Sequence, residues 1–434
     1  MRIDELEFKN KEEIRKAQEK LLRESLNYIL KNSLFYKERL SKIDPGDVTL
    51  ENIGSLPFTT KEDLQKRNND FLSVPKKRVV EYVNTSGTTG APIYIALSSN
   101  DLIRLKENEM KSFTTAGATD QDTFQLAVTL DSMFIAGMAY YLGITGLGAK
   151  AIRVGTKNTK MHLKVMKELR PNGIVSVPTY LIALSKEAEN EGIRPKDLGL
   201  KKAVLIGESI KNRDFSMNNI GKAIQEIWDL DLYSTYGNTE IATSMCECKV
   251  KRGGHIHPDL VYCEVINEKG NVLPEGETGE LTVTTFRTEA MPLIRYRTGD
   301  ITFMINEKCE CGRSSPRIGP ILGREKQAIK LKGTAIYPSQ VEDILNGIPE
   351  VVNYVLEAYI GDDHGEKLHV RVGSGRRDEL FRKEIGKKIN AHARVTPEIT
   401  LHDPEMIRDM QYKEGDRKPR RFFDRRDNGK GLWP

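Results

Sequence analysis

No apolar run in this chain approaches the roughly 18 residues that a membrane-spanning helix needs. The start, Met1-Arg2-Ile3-Asp4-Glu5, is charged where a secretory signal would carry an apolar core. Together these two absences give the expectation of a cytoplasmic protein that does not enter a membrane. Charge of one sign is scarce as well. A net charge of +5 over 434 residues offers no electrostatic footprint for nucleic acid. The basic residues do gather between Arg417 and Arg426, where a solvated tail is the plainest reading. Cysteine is sparse and odd in number, five in all, and four of these form the pairs Cys246-Glu247-Cys248 and Cys309-Glu310-Cys311. Without a secretory signal, that pattern favours a metal or free thiols over disulfides. A Walker phosphate loop is also missing. The one Ser/Thr/Gly-rich loop lacks the Lys-Ser/Thr ending and is followed by strand-like sequence in place of a helix.

What is present is ordinary for a globular protein: 38% apolar and 30% charged residues, in a chain too long for one core. Two or more domains are therefore expected. The loop just mentioned is Thr85-Ser86-Gly87-Thr88-Thr89-Gly90-Ala91-Pro92, set between the strand-like runs Val79–Val83 and Ile93–Ala96. Gly87 and Gly90 let the backbone turn its N–H groups inward, and four hydroxyls add donors. Polyphosphate oxygens need that density of donors.

Further along, helical and strand-like stretches alternate. Helices are expected over residues 4–42, Ser99–Thr115 and Thr159–Leu169. Thr60, three residues before Asp63, reads as a capped helix start. Phe124–Leu130, Gly148–Val154, Gly173–Val177 and Ala203–Ile206 read as strands. Such alternation predicts a parallel sheet with covered faces. Pro178-Thr179-Tyr180 and Gly207-Glu208 follow strand ends, where open α/β sheets bind ligands.

Two further motifs carry chemistry. In Tyr236-Gly237-Asn238-Thr239-Glu240, Tyr236 can stack on a purine and Gly237 allows close approach. Thr239 offers a hydroxyl to the α-phosphate, and Glu240 a hard oxygen to Mg²⁺. In Tyr296-Arg297-Thr298-Gly299-Asp300, the carboxylate of Asp300 can accept from both hydroxyls of a ribose. The two Cys-x-Cys pairs, with His255 and His257 between them, fit tetrahedral zinc. Cys263 sits in the apolar run Leu260–Ile266 and is expected in the core.

The loop at Thr85–Pro92, the Tyr236–Glu240 motif and Asp300 together resemble the acyl-adenylating enzymes, a family of acyl- and aryl-CoA synthetases, luciferase and peptide-synthetase adenylation domains. The segments Asn32–Leu40 and Pro57–Leu64 narrow the resemblance to phenylacetate-CoA ligases and the deazaflavin-adenylating synthetases of methanogens. It covers nearly the whole chain.

The fold class implied is α/β: a large N-terminal domain (1–323) with parallel and mixed sheets covered by helices, plus a small mobile α+β C-terminal domain (324–434). The implied activity is AMP-forming acid–thiol ligation, with ATP, Mg²⁺, coenzyme A and a carboxylic acid, aryl or arylacetic, as partners. A homodimer is also implied. The resemblance makes Thr85, Ser86, Gly87, Thr88, Thr89 and Gly90 the phosphate loop, although Ala91 stands where the family usually has lysine. It places Gly207, Glu208, Tyr236 and Gly237 at the nucleotide, Asp300 at its ribose and Arg324 in contact with it. Thr239 and Glu240 take catalytic roles, and Lys326 becomes the hinge. Lys418 falls on the lysine that bridges carboxylate and α-phosphate, with Lys413 as competitor because Arg417 replaces the family's glycine. Phe134, Ala136, Gly137, Tyr140, Pro178 and Thr179 fall on the acid pocket, although a buried packing role explains such residues equally. The family's metal spacing selects Cys248, His255, Cys309 and Cys311 as structural zinc ligands, with Cys246 and His257 as alternatives. Two other readings stay open. One is an adenylyltransferase acting on a non-thiol acceptor such as a deazaflavin hydroxyl, and the other is a non-catalytic zinc-binding relative.

Overall fold

The computed structural model describes residues 5–85, 93–156, 158–331, 334–361, 365–412 and 419–426. The chain divides into two compact units. The first comprises Met1–Ser216 and Gly221–Ile321, the second Met217–Ile220 and Leu322–Pro434.

The first unit is built on a six-stranded sheet in the order Lys150–Arg153, Thr123–Ala127, Gly173–Ser176, Lys202–Ile206, Asp231–Asn238, Thr243–Cys246. The first five strands run parallel and the last antiparallel. The inner strands Gly173–Ser176 and Lys202–Ile206 read as apolar runs because they are buried in the middle of the sheet. Helices Ser99–Thr115 and Ile135–Gly146 supply Phe113, Tyr140 and Ile144 to a core with Phe124, Leu126, Val175, Val204 and Ile206. The helix Ser99–Thr115 starts where expected because Ser98 and Asp101 form a capping box. Thr60 and Asp63 do the same for Lys61–Arg67.

A second sheet pairs Val261–Ile266, Gly279–Thr285 and Tyr296–Thr302 antiparallel. It shares a core with the N-terminal helix Lys11–Asn32, whose Leu22, Leu26 and Ile29 are fully buried. Each such side chain contributes about 1.5–3 kcal/mol on burial. The expected single helix over 4–42 is instead three pieces, Glu5–Phe8, Lys11–Asn32 and Leu34–Arg39. Asn10 and Ser33 break it, because each turns its side chain onto the backbone N–H three residues ahead. The hairpin of Val79–Asn84 and Tyr94–Ser98 is antiparallel, as its flanking runs predicted. Cys263 lies in a core strand, 7% exposed.

The second unit holds a hairpin, Ile329–Leu331 with Thr334–Ile336, and a four-stranded sheet. That sheet is ordered Glu398–His402, Glu366–Gly373, Asn353–Ile360, Phe422–Asp424. Helices Pro338–Asn346 and Glu379–Ala393 close its core through Val341, Leu345, Phe381, Ile385 and Ile389. The basic C-terminal run is therefore not simply a solvated tail. Phe422–Asp424 pairs parallel with Leu356–Ala358, and Arg426 donates to the carbonyls of Lys326 and Ala328 at 2.7 Å each. Among the described residues, no helix is long and apolar enough to cross a membrane.

Candidate active site and metal centre

Parallel sheets bind ligands past the carboxyl ends of their strands, and three adjacent strands end here in polar turns. Lys202–Ile206 runs into Gly207, at φ +75°, and Glu208. Gly173–Ser176 runs into Pro178 and Thr179, which open a helix. Glu208 joins the two turns, accepting from the Thr179 amide and hydroxyl at 2.9 Å each. Its carboxylate thus sits on a helix N-terminus, where negative charge is stabilised.

The third strand, Asp231–Asn238, carries Tyr236 and Gly237 near its end. The Tyr236 hydroxyl donates to Asp300 Oδ2 at 2.9 Å, and Asn238 Nδ2 donates to the same hydroxyl at 3.3 Å. Two motifs 64 residues apart therefore meet in one hydrogen bond. Asp300 is only 5% exposed, and its amide is held by Thr298 Oγ1 at 3.1 Å. A carboxylate buried to that degree and held by the Tyr236 hydroxyl is fixed in orientation. Gly237 is exposed, and a Cβ there would stand 2.9 Å from the carbonyl oxygen of Thr243. Only glycine allows both this strand pairing and a bare backbone edge. Thr239 is half-buried. Glu240 accepts from the Tyr296 hydroxyl at 3.2 Å. Burial, with Glu240 next, pushes that phenol well above its usual range, so Tyr296 remains a donor at every physiological pH. Tyr296 belongs to a quoted motif, yet the sequence marked only its aspartate. Its pairing with Glu240 spans 56 residues, beyond what local pattern reports.

Thr85 is buried and closes the base of the hairpin formed by Val79–Asn84 and Tyr94–Ser98. Its amide donates to the Ile93 carbonyl at 3.1 Å, and its hydroxyl accepts from the Ile93 amide at 3.3 Å. Ser86, Gly87, Thr88, Thr89, Gly90 and Ala91 lie outside the described residues, as do Lys413 and Lys418. In the second unit, Arg324 is exposed on the short strand Gly323–Arg324, and Lys326 lies in the 3-10 turn Glu325–Gln327.

The pocket residues divide. Ser132 and Met133 both have φ +59°, and the Asn84 amide donates to the Met133 carbonyl at 3.0 Å, which ties this turn to the hairpin. Phe134 and Ala136 follow, half-buried. Gly137 is a packing glycine, because a Cβ there would meet the Thr129 carbonyl oxygen at 2.2 Å. Tyr140 is 6% exposed, its ring 5.9 Å from Phe113 in the helix–sheet core. Its body is core, whatever its hydroxyl reaches.

The cysteines converge. Single ligand atoms of Cys248, His255, Cys309 and Cys311 all lie within 4.8 Å of one another, three of the residues buried. Cys248 and Cys309 sulfurs are 3.7 Å apart, and Cys311 Sγ is 3.5 Å from His255 Nε2. Ser315 Oγ lies 3.2 Å from His255 Nδ1, which leaves Nε2 facing the thiols. Burial raises the Cys248 thiol to about 12, with the backbone of Val250 opposing and the charges of Cys311 and Cys309 adding to it. A dication among the sulfurs would reverse that balance by ionising coordinated thiols outright. The donor set S₃N fits zinc. The alternatives are spent elsewhere. Cys246 is fully buried in the sheet core. His257 sits between Glu7 Oε1 at 2.6 Å and Ser112 Oγ at 3.1 Å. Glu7 also accepts from Arg313 Nε at 2.7 Å, and Arg313 Nη1 donates to Cys311 Sγ at 3.7 Å. No sequence signal marked Glu7. Its partners lie 250 and 306 residues away.

The AMP-binding enzyme family model matches residues 6–287, and that of the AMP-binding enzyme C-terminal domain matches 333–426. A phenylacetate-coenzyme A ligase of Thermus thermophilus is 33% identical over 408 residues, covering 92% of this chain and 89% of that protein. One from Pseudomonas putida is 28% identical and covers 92% of each. Among solved structures, a 2-hydroxyisobutyryl-CoA ligase in its postadenylation state superposes with TM-score 0.85 at 21% identity, over 98% of this chain and 92% of that one. At that identity the superposition speaks for the fold alone. The chain belongs to the AMP-binding enzyme family.

Proposed function

We propose that this protein is an AMP-forming acid–thiol ligase, joining a carboxylic acid of the aryl or arylacetic class to coenzyme A at the expense of ATP. A carboxylate oxygen attacks the α-phosphorus of MgATP, and pyrophosphate leaves. The thiol then attacks the acyl carbon, and AMP leaves. Little covalent work falls to the protein, which must position groups and neutralise charge.

The observation that carries this reading is the Tyr236–Asp300 hydrogen bond at 2.9 Å, beside Thr239 and Glu240 at the ends of parallel strands. Asp300 would hold the ribose and Tyr236 would stack on the purine. Thr239 would donate to the α-phosphate. Glu240, steadied by Tyr296, would hold Mg²⁺. Lys418 would neutralise the charge that builds between carboxylate and phosphate, and Lys326 would serve as the hinge. Cys248, His255, Cys309 and Cys311 would hold a structural zinc. With four protein ligands the ion leaves no open position, so it would cross-link the 248–255 and 309–315 segments and take no part in the reaction.

Acid-dependent ATP–pyrophosphate exchange, followed by addition of coenzyme A, tests the reading. Exchange with one acid and a thioester on adding the thiol supports it. Exchange without a thioester would move the acceptor to another group, such as a hydroxyl.

A further inference from the structure

Asp300 stands at the end of an irregularity in the second sheet. The strands Gly279–Thr285 and Tyr296–Thr302 pair Thr282 with Arg297 and Glu280 with Ile301. Between those pairs the first strand has only Leu281, whereas the second has Thr298, Gly299 and Asp300. The extra residues lift Thr298–Asp300 out of the ladder as a bulge. Bulges re-aim side chains and recur beside active sites. Gly299 takes φ +75°, and nothing lies within 4 Å of where its Cβ would stand. Glycine is here for its backbone conformation and not for want of space.

A bulge takes amides out of the ladder, and they need other acceptors. The facing strand supplies them. Glu280 is 4% exposed. Its backbone sits opposite Ile301, while its side chain reaches back along the bulge. Oε1 accepts from the Gly299 amide at 3.0 Å, and Oε2 from Arg297 Nε at 2.6 Å. One carboxylate thus ties the residue before the bulge to the glycine within it. Thr298 Oγ1 donates to the Leu281 carbonyl at 2.8 Å and accepts from the Asp300 amide at 3.1 Å. Arg297 is fixed independently. Its amide donates to the Thr59 carbonyl at 2.9 Å, and its guanidinium lies 5.6 Å from the Phe58 ring centre. With that end anchored, Glu280 decides where Gly299, and Asp300 after it, comes to rest. A carboxylate accepts from both donors at once, whereas a glutamine would turn an N–H on one of them.

We propose that Glu280 is a positioning residue. It holds the Thr298–Asp300 bulge so that Asp300 meets both ribose hydroxyls, and it thereby sets the preference for ribonucleotides over deoxyribonucleotides. This rests on the assignment of Asp300 to the ribose above.

The test is calorimetric titration of wild type, Glu280→Gln and Gly299→Ala with AMP, 2′-deoxy-AMP and 3′-deoxy-AMP, with a melting curve for each protein. Wild type should bind AMP about ten- to hundredfold more tightly than either deoxynucleotide, because each lacks one donor to a charged acceptor. Glu280→Gln should shrink that preference about fivefold or more, by weakening AMP further than the deoxy forms. Gly299→Ala strains the same bulge through φ alone and should shrink it in the same direction. A general loosening of the fold weakens all three nucleotides by one factor and leaves the preference intact. A preference that survives Glu280→Gln would therefore make Glu280 structural and overturn the inference, with Asp300 still at the ribose. If Glu280→Gln does not fold, the same ratio in Gly299→Ala decides. Equal binding of the three nucleotides by wild type, or no AMP binding at all, would overturn the ribose assignment itself, and this inference with it.

Discussion

Tyr236→Phe removes one oxygen and keeps the ring. The lost hydroxyl is the donor to Asp300 Oδ2 at 2.9 Å. A hydrogen bond to a charged group is worth about 1.5–3 kcal/mol net. Tyr236 is only half-buried, so water recovers part of this, and about 1–2 kcal/mol of positioning should be lost. If Asp300 holds the ribose, the loss appears in nucleotide binding. The KM for ATP should rise about five- to thirtyfold, while the KM for pyrophosphate in the reverse reaction changes little. Calorimetric titration with AMP should show the same weakening without any turnover. Asp300→Asn should cost more, and adding Tyr236→Phe to it should cost almost nothing further, because the two groups act as one unit. Additive losses in that double variant, or an ATP KM unmoved by Tyr236→Phe, would refute the assignment of Asp300 to the ribose.

Other consequences can be checked separately. Cys309→Ser removes one of four converging ligands. Elemental analysis should find zinc falling from stoichiometric to trace and the melting temperature falling with it, whereas wild-type protein purified metal-free from zinc-replete medium would sink the proposed centre. Arg295 is 1% exposed, bonds Glu264 through two oxygens at 2.9 and 3.0 Å, and donates to the Gly54 and Leu56 carbonyls. Arg295→Met strands a buried carboxylate and should destabilise by about 3–5 kcal/mol, a fall in melting temperature of roughly 5–15 °C; a shift under a degree would show the pair to be idle. Glu109 gives a pH signature. Its folded pKa of about 7 lies above the unfolded value of about 4.3. Between those values the folded state binds the extra proton, so this group makes stability fall as pH rises, by about 3–4 kcal/mol over the window. Glu109→Gln removes that slope, and its stability relative to wild type should grow from about pH 5 to about pH 7 and then level off; a difference independent of pH would contradict the raised carboxyl.

Much of the first unit was legible because its signals are local. The helix Ser99–Thr115 announces itself through Ser98 and Asp101, and Lys61–Arg67 through Thr60 and Asp63. The two Cys-x-Cys pairs and the histidines between them marked a metal-type cluster, but it was the spacing of the resembling family that selected Cys248, His255, Cys309 and Cys311 over Cys246 and His257. Contacts between distant segments were not legible. Glu7 reaches His257 and Arg313, and Glu109 reaches Ser244, across 135 residues or more. No periodicity encodes such pairs, and an acidic residue on a helix reads as solvent-facing until the fold buries it. Tyr140 shows the opposite difficulty, since an aromatic at helical spacing looks alike whether it lines a pocket or fills a core. The basic C-terminal run concealed a strand, because Phe422 and Phe423 are too short a run to stand out among arginines. It is the pairing with Asn353–Ile360 that orders them.

The most direct measurement on the central claim is exchange of labelled pyrophosphate into ATP against a panel of aryl, arylacetic and short-chain acids, with coenzyme A then added to the responding reaction. The account predicts exchange that depends on one class of acid, then AMP and a thioester in equal amounts. Exchange absent with every acid, or ATP consumed to ADP, would contradict it.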